Sequence, residues 1–319
     1  MTAMADDTQS LAGSAAPSRL APGLSFAVLS AASFGTSGPL ASPLLDTGWS
    51  PGLVVLLRIA TGALVVTPFG LAALRGRWGL LQRNAVLVLL YGLLGVAAAQ
   101  LCYFAAITHM QVAPALMIEY TAPAAVVVWL WLRHGQRPGP VTLAGAGLAA
   151  VGLVLVLDVL SGGGLDPAGV LWALGAMVGV TGYFVISADE ANGLPPMTLA
   201  AGGLLVGAVL LGVLGLLGVL PMRAATGPTT YAGVAVPWWV PLVALGTVTA
   251  ALSYTTGIAA GRRLGSRLAS FAALLEVVAA VGFAWLLLGE LPAAVQLLGG
   301  VLILAGVVVV KLGERGVAR

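Results

Sequence analysis

The chain is expected to fold as an all-α membrane protein with ten transmembrane helices in two inverted five-helix repeats. Three observations predict this. Hydrophobic residues make up 60% of the 319 and charged residues 8%, with a mean hydropathy of +1.05; a soluble domain carries about a quarter charged residues. Apolar runs long enough to cross a bilayer recur along the whole chain. Finally, Glu119 and Glu276 lie near the middle of such runs at similar places in the two halves, in Leu116-Met117-Ile118-Glu119-Tyr120 and Ala273-Leu274-Leu275-Glu276-Val277. A carboxyl inside a lipid-spanning segment costs about 3 kcal/mol or more, so its presence marks a functional position.

Residues 1–21 are polar, hold Asp6 and Asp7, and lack a positive region before an apolar core, so they read as a disordered cytoplasmic tail and not as a signal peptide. A span needs about 20 apolar residues. That template gives candidates at 22–43, 51–74, 85–107, 110–132, 140–159, 167–188, 196–220, 237–260, 265–288 and 293–311, with 313–319 a cytoplasmic tail. Most connections are short and carry Gly, Pro or Arg; the longer polar one, 221–236, contains Pro221, Gly227 and Pro228. With the N-terminus inside, 12 of the 14 Lys and Arg residues are cytoplasmic, leaving Arg223 outside and Arg58 within a span. Basic residues concentrate on the cytoplasmic side of membrane proteins, so both termini are placed there.

The halves repeat. Glu119 and Glu276 are 157 positions apart, while Leu143-Ala144-Gly145-Ala146 matches Leu297-Leu298-Gly299-Gly300 and Gly152 matches Gly306 at an offset of 154, a difference read as a longer loop in the first half. Gly23–Ser42 matches Gly169–Ser187 more weakly. Five spans per half, an odd number, insert the second half upside down, giving a first repeat over 22–160 and a second over 166–312. Small residues such as Gly175/Gly179 and Gly203/Gly207 allow close helix packing in lipid.

The single cysteine, Cys102, lies in an apolar run, so there is no disulfide framework and no thiol metal site. No metal and no cofactor are expected. The charge of +3 is scattered over loops and carries no nucleic-acid surface. The expected partners are the lipid bilayer and a small-molecule substrate; a homodimer is left open.

Several stretches together resemble the drug/metabolite transporter superfamily, in its EamA-type ten-span form. They are Leu57-Arg58-Ile59-Ala60-Thr61-Gly62, Met117-Ile118-Glu119-Tyr120-Thr121-Ala122-Pro123, Ala272-Ala273-Leu274-Leu275-Glu276, and Trp285-Leu286-Leu287-Leu288-Gly289-Glu290 with Gln296 and Gly299. The likeness covers residues 22–312, and the Ile-Glu-Tyr-Thr-Ala-Pro stretch looks closest to the threonine/homoserine exporter branch. It departs at Leu132-Arg133, where the family has Gly-Glu, and at Val277, where it has proline. The resemblance implies a compact bundle around a central cavity that exports amino acids or related metabolites, with Glu290 as a closing contact.

Both glutamates lie about 15 Å deep by helical rise, where a carboxyl could take up a proton on one side and release it on the other. Arg58, about 10 Å from its span end, could snorkel, pair with a glutamate or grip a substrate carboxylate. Thr36, Ser37, Gln100, Tyr103, Tyr183 and Tyr254 are further polar groups for a cavity wall, Tyr103 and Tyr254 being placed as mirror images. For each of these the commoner role is a helix-to-helix hydrogen bond. Trp129, Trp131, Trp238 and Trp239 lie near span ends, as interface anchors do.

Two other classes compete. Gly35-Thr36-Ser37-Gly38 has the form of an intramembrane serine hydrolase motif, but the two histidines, His109 and His134, lie at span ends and cannot serve as its base. A channel requires a continuous polar file, which a few isolated ionisable groups do not supply. A secondary transporter working by alternating access, with proton or gradient coupling, fits the pattern best.

Overall fold

The computed structural model describes residues 20–106, 109, 112–135, 137–156, 166–289 and 294–317. Residues 1–19 of the expected N-terminal tail and Glu290 lie outside the described residues, while residues 20 and 21 already belong to the first helix. The chain is almost entirely helical. In order the helices are α1 (Leu20–Gly35), α2 (Ser37–Asp46), α3 (Pro51–Leu74), α4 (Trp78–Arg83), α5 (Ala85–Leu90), α6 (Ala99–Ala106), α7 (Val112–Glu119), α8 (Ala122–His134), α9 (Pro140–Val156), α10 (Pro167–Ala188), α11 (Pro196–Leu216), α12 (Trp239–Gly246), α13 (Ser253–Ala273), α14 (Leu275–Leu288) and α15 (Ala294–Val317).

Among the described residues, six helical stretches are long and apolar enough to cross a membrane: 20–46, 51–74, 85–106, 167–188, 196–216 and 239–273. Four further apolar helices, 122–133, 140–155, 275–288 and 297–310, are shorter. The 239–273 stretch is kinked at Gly265, whose φ of 77° and ψ of 162° lie outside the helical region. Side chains such as Leu64, Leu132, Leu171 and Leu216 stand exposed on the outside of the bundle. In lipid such a surface is solvated, so these helices are apolar all round and not amphipathic.

The repeat is written into the packing. The 154-residue offset carries Gly145 onto Gly299 and Gly152 onto Gly306. A Cβ at Gly145 would meet the Gly306 carbonyl at 2.9 Å, and one at Gly152 would meet the Gly299 carbonyl at 2.6 Å. Each helix therefore presents the same patch to its counterpart, as in an isologous twofold contact, and α9 and α15 run antiparallel. Large side chains cannot enter this seam. Gly306→Leu should cost about 1–3 kcal/mol by overpacking and lower the thermal unfolding midpoint of purified protein in detergent.

A second correspondence was not visible in the sequence. The helical stretches 85–106 and 239–273 each contain a π-helical segment, Tyr91–Ala98 and Thr247–Leu252. Helix α11 packs on the first through Gly207 against Val96 and Ala97, and α3 packs on the second through Gly62 against Ala250 and Ala251. The offset carries Val96 and Ala97 onto Ala250 and Ala251, so the two contacts are one contact built twice.

The polar segment 221–236 holds the only β structure among the described residues, a hairpin of β1 (Thr229–Tyr231) and β2 (Val234–Val236) with Thr229 opposite Val236. Its turn residues, Ala232 and Gly233, both have positive φ, as a type I′ turn requires. The hairpin is tied to helix ends: Tyr231 Oη donates to the Leu40 carbonyl at 2.7 Å and Ala232 N to the Leu287 carbonyl at 2.7 Å. Ser50 exchanges hydrogen bonds with Pro221 and Arg223 beside it, and Trp238 stacks on Trp49 with ring centroids 5.5 Å apart. Burial pushes the Tyr231 phenol up to about 12. Its folded value lies above the unfolded one, so this tie contributes fully below pH 10 or so and is lost as pH rises through about 12. Tyr231→Phe should lower stability by about 1 kcal/mol, read from the same thermal midpoint at neutral pH.

Candidate functional site

The site forms where two spans are broken. Helix α7 ends at Glu119, Tyr120 and Thr121 make a turn, and α8 restarts with Pro123 in its first turn. The proline has no N–H to continue the ladder. In the second half α13 ends at Ala273, Leu274 turns, and α14 restarts at Leu275. Val277 stands where the offset would place Pro123, so this break occurs without a proline. It is closed by three-residue turns, Leu274 N to the Phe271 carbonyl and Val277 N to the Leu274 carbonyl, both at 3.1 Å.

The breaks correct the sequence register. Gly135 and Gly289 end the two broken spans in the left-handed conformation, and Pro140 and Ala294 open the next helices at the same offset of 154. The loops between are equal in length, so no longer loop exists in the first half. The offset carries Glu119 onto Ala273, not onto Glu276. The glutamates thus differ by three positions, almost one helical turn. Glu119 closes α7 at its carbonyl end, whereas Glu276 lies in the first turn of α14, where free N–H groups favour an anion.

Both carboxyls nonetheless reach one central cavity of about 660 Å3, its mouth included. Gln100, Tyr183 and Tyr254 line it too, as do Ser30, Phe34, Tyr120 and Phe184. Glu119 is buried and Glu276 half-buried, with the Tyr120 hydroxyl facing the Glu276 carboxyl. The aromatic wall is edge-on throughout: Phe34 to Tyr254 at 5.1 Å, Tyr183 to Tyr254 at 5.7 Å and Tyr183 to Phe184 at 5.0 Å between centroids. Such edge-to-face pairs hold one another in place.

Arg58 stands behind this wall. It is fully buried and does not line the cavity. Its Nη1 donates to Gln100 Oε1, its Nη2 to the Thr249 carbonyl at 2.6 Å, and its guanidinium lies 5.7 Å from the Phe34 ring centre. Tyr254 Oη donates to the Gly95 carbonyl at 3.2 Å. The offset carries Gly95 onto Thr249, so the same carbonyl in each π-helical segment is used, once by a phenol and once by a guanidinium. Widened turns of this kind gather at functional sites.

Two expected members do not line the cavity, although the Tyr103 phenol lies near both glutamates. Thr36 Oγ1 donates to the Ser33 carbonyl within its own chain segment at 2.7 Å, and the Tyr103 ring packs on Phe104 at 5.4 Å. Tyr103 is also not the mirror of Tyr254, since the offset carries Tyr254 onto Gln100 and Tyr103 onto Gly257. His109 lies at the surface, 3.5 Å from Asp166, remote from the Ser37 motif in the sequence of spans. Sequence reasoning missed Ser30, Phe34, Tyr120 and Phe184. Adjacency to Glu119 could have signalled Tyr120; a phenylalanine in an apolar helix gives no signal at all.

A bundle of apolar helices in two matched halves, with paired carboxyls at a central cavity, is the build of a secondary carrier. The EamA-like transporter family matches this chain twice, over residues 21–158 and 167–312. The chain belongs to that family and is a membrane transporter of the EamA type. It is 23% identical, over 92% of its length and 96% of the relative's, to an uncharacterized inner membrane transporter, YicL, of Salmonella typhimurium. It also resembles a protein of known crystal structure, with a TM-score of 0.75 and 24% identity over 94% of this chain and 99% of that one. That likeness bears on the fold.

Proposed function

We propose that the protein is a secondary transporter of the inner membrane that exports small amino acids or related metabolites by alternating access, coupled to a proton gradient. The observation that carries this reading is the convergence of Glu119 and Glu276, one from each half of the chain, on one cavity. In this reading all ten apolar segments cross the bilayer, the repeats are inverted as the antiparallel α9 and α15 suggest, and both termini are cytoplasmic. The shorter helices then cross as pairs joined at the breaks, α7 with α8 and the end of α13 with α14. Glu119 and Glu276 carry the proton, Gln100, Tyr183 and Tyr254 shape the substrate space, and Arg58 supports Gln100 from behind. Thr36 and Tyr103 act within the helix framework, and a homodimer remains compatible with this arrangement.

The test is flux of a panel of radiolabelled amino acids and metabolites in proteoliposomes, with and without a pH gradient. Saturable flux that the gradient accelerates is expected; a non-saturating conductance would mean a channel and end this reading. Arg58→Ala should reduce transport of carboxylate-bearing and neutral substrates by the same factor, about tenfold or more, because the guanidinium orients a wall residue and lies outside the cavity. A loss confined to carboxylates would place Arg58 in contact with substrate.

A further inference from the structure

The cavity's polar groups are sorted by kind. Among the described residues, no lysine, arginine or histidine side chain lines it, while two carboxyls do. The nearby guanidinium lies behind the wall, its Nη1 on Gln100 and its Nη2 on the Thr249 carbonyl, with Nε buried and unpartnered. Hydroxyl protons at the wall are turned into the protein as well: Ser30 Oγ donates to the Ser253 carbonyl at 2.9 Å, and Tyr254 Oη to the Gly95 carbonyl. What remains toward the cavity is carboxylate oxygen, hydroxyl lone pairs, the Gln100 amide N–H groups and the rings of Phe34, Tyr183 and Tyr254. A hydroxyl offers one proton and two lone pairs, so these two hydroxyls face the cavity as acceptors.

A solute carboxylate entering this space meets two carboxyls and few free donors. A solute ammonium meets charge-assisted acceptors and aromatic rings that attract cations. We infer that the site recognises its substrate by a cationic nitrogen attached to an apolar or aromatic body, and that a substrate carboxylate is dispensable. The inference rests on the proposed transport function only for the word substrate; the binding preference stands on the cavity itself.

The test separates the two. Isothermal titration of the purified wild-type protein in detergent would compare phenethylamine, phenylalanine and 3-phenylpropionate, one skeleton bearing the amine, both groups, or the acid. Phenethylamine should bind at least tenfold tighter than phenylalanine, and 3-phenylpropionate should give no saturable heat. Tyr254→Leu should weaken phenethylamine about threefold to tenfold, and Glu276→Gln should weaken it more. Phenylalanine or phenylpropionate binding as tightly as the amine would overturn the inference, as would no binding by any of the three. Transport is scored separately by the proteoliposome flux: amine-selective binding without gradient-driven flux sinks the transport reading and leaves the cation preference standing.

Discussion

Glu119→Gln is expected to bring pH-driven flux down to the level of protein-free vesicles while leaving the protein folded. Glutamine keeps the size and most hydrogen-bonding capacity of the carboxyl, so the thermal midpoint should stay within the range of a shift of about 1 kcal/mol. What it cannot do is bind and release a proton. Glu276→Gln should abolish the gradient response as well, but through a different surrounding: there the substitution removes an anion from the first turn of α14 and weakens the interaction with Tyr120. Exchange of substrate without a gradient is therefore the informative second measurement. If both variants retain full gradient-driven flux, the proton-coupling role assigned to these residues is wrong.

The second large effect is expected at Gly257. A Cβ there would run into Tyr183 Oη and approach Ser30 Oγ to 2.8 Å. Tyr183 cannot simply rotate away, because its ring is held between Tyr91, Phe34, Phe184 and Tyr254. Gly257→Val should thus displace the aromatic wall, cost about 1–3 kcal/mol of stability, and reduce transport tenfold or more. Gly257→Ala should lie between Val and wild type. A valine variant with wild-type flux would show that Tyr183 does not shape the transport path.

Much of the fold is legible in the sequence because lipid imposes it: apolar length marks the segments, and an ionisable residue inside one stands out against so few charges. The Gly145/Gly152 and Gly299/Gly306 series marked the repeat, and the close approach of α9 to α15 is what requires their size; that these two helices face each other was not legible in the sequence. The facing of individual side chains was not legible. A helix that is apolar all round shows no period, so nothing in the sequence says that Arg58 points behind the cavity wall or that Phe34 points into it. The π-helical segments leave no compositional trace. The hairpin turns on Ala232-Gly233, and alanine is a rare choice at a positive φ, so the usual Asn-Gly signal was missing. The three-position slip between the glutamates was hidden because one apolar turn aligns as well as the next; only the helix breaks and the capping glycines fix the register.

That slip has a consequence for the resting carrier. In the alternating-access reading, identical halves would make the inward-open and outward-open forms images of each other, equal in energy when empty. Set one turn apart, at the carbonyl end of α7 and the amide end of α14, the carboxyls join Arg58 and the Gln100/Tyr254 difference in breaking that degeneracy. The unloaded protein is then expected to prefer one side of the membrane, a bias fixed by sequence before any solute or gradient acts on it.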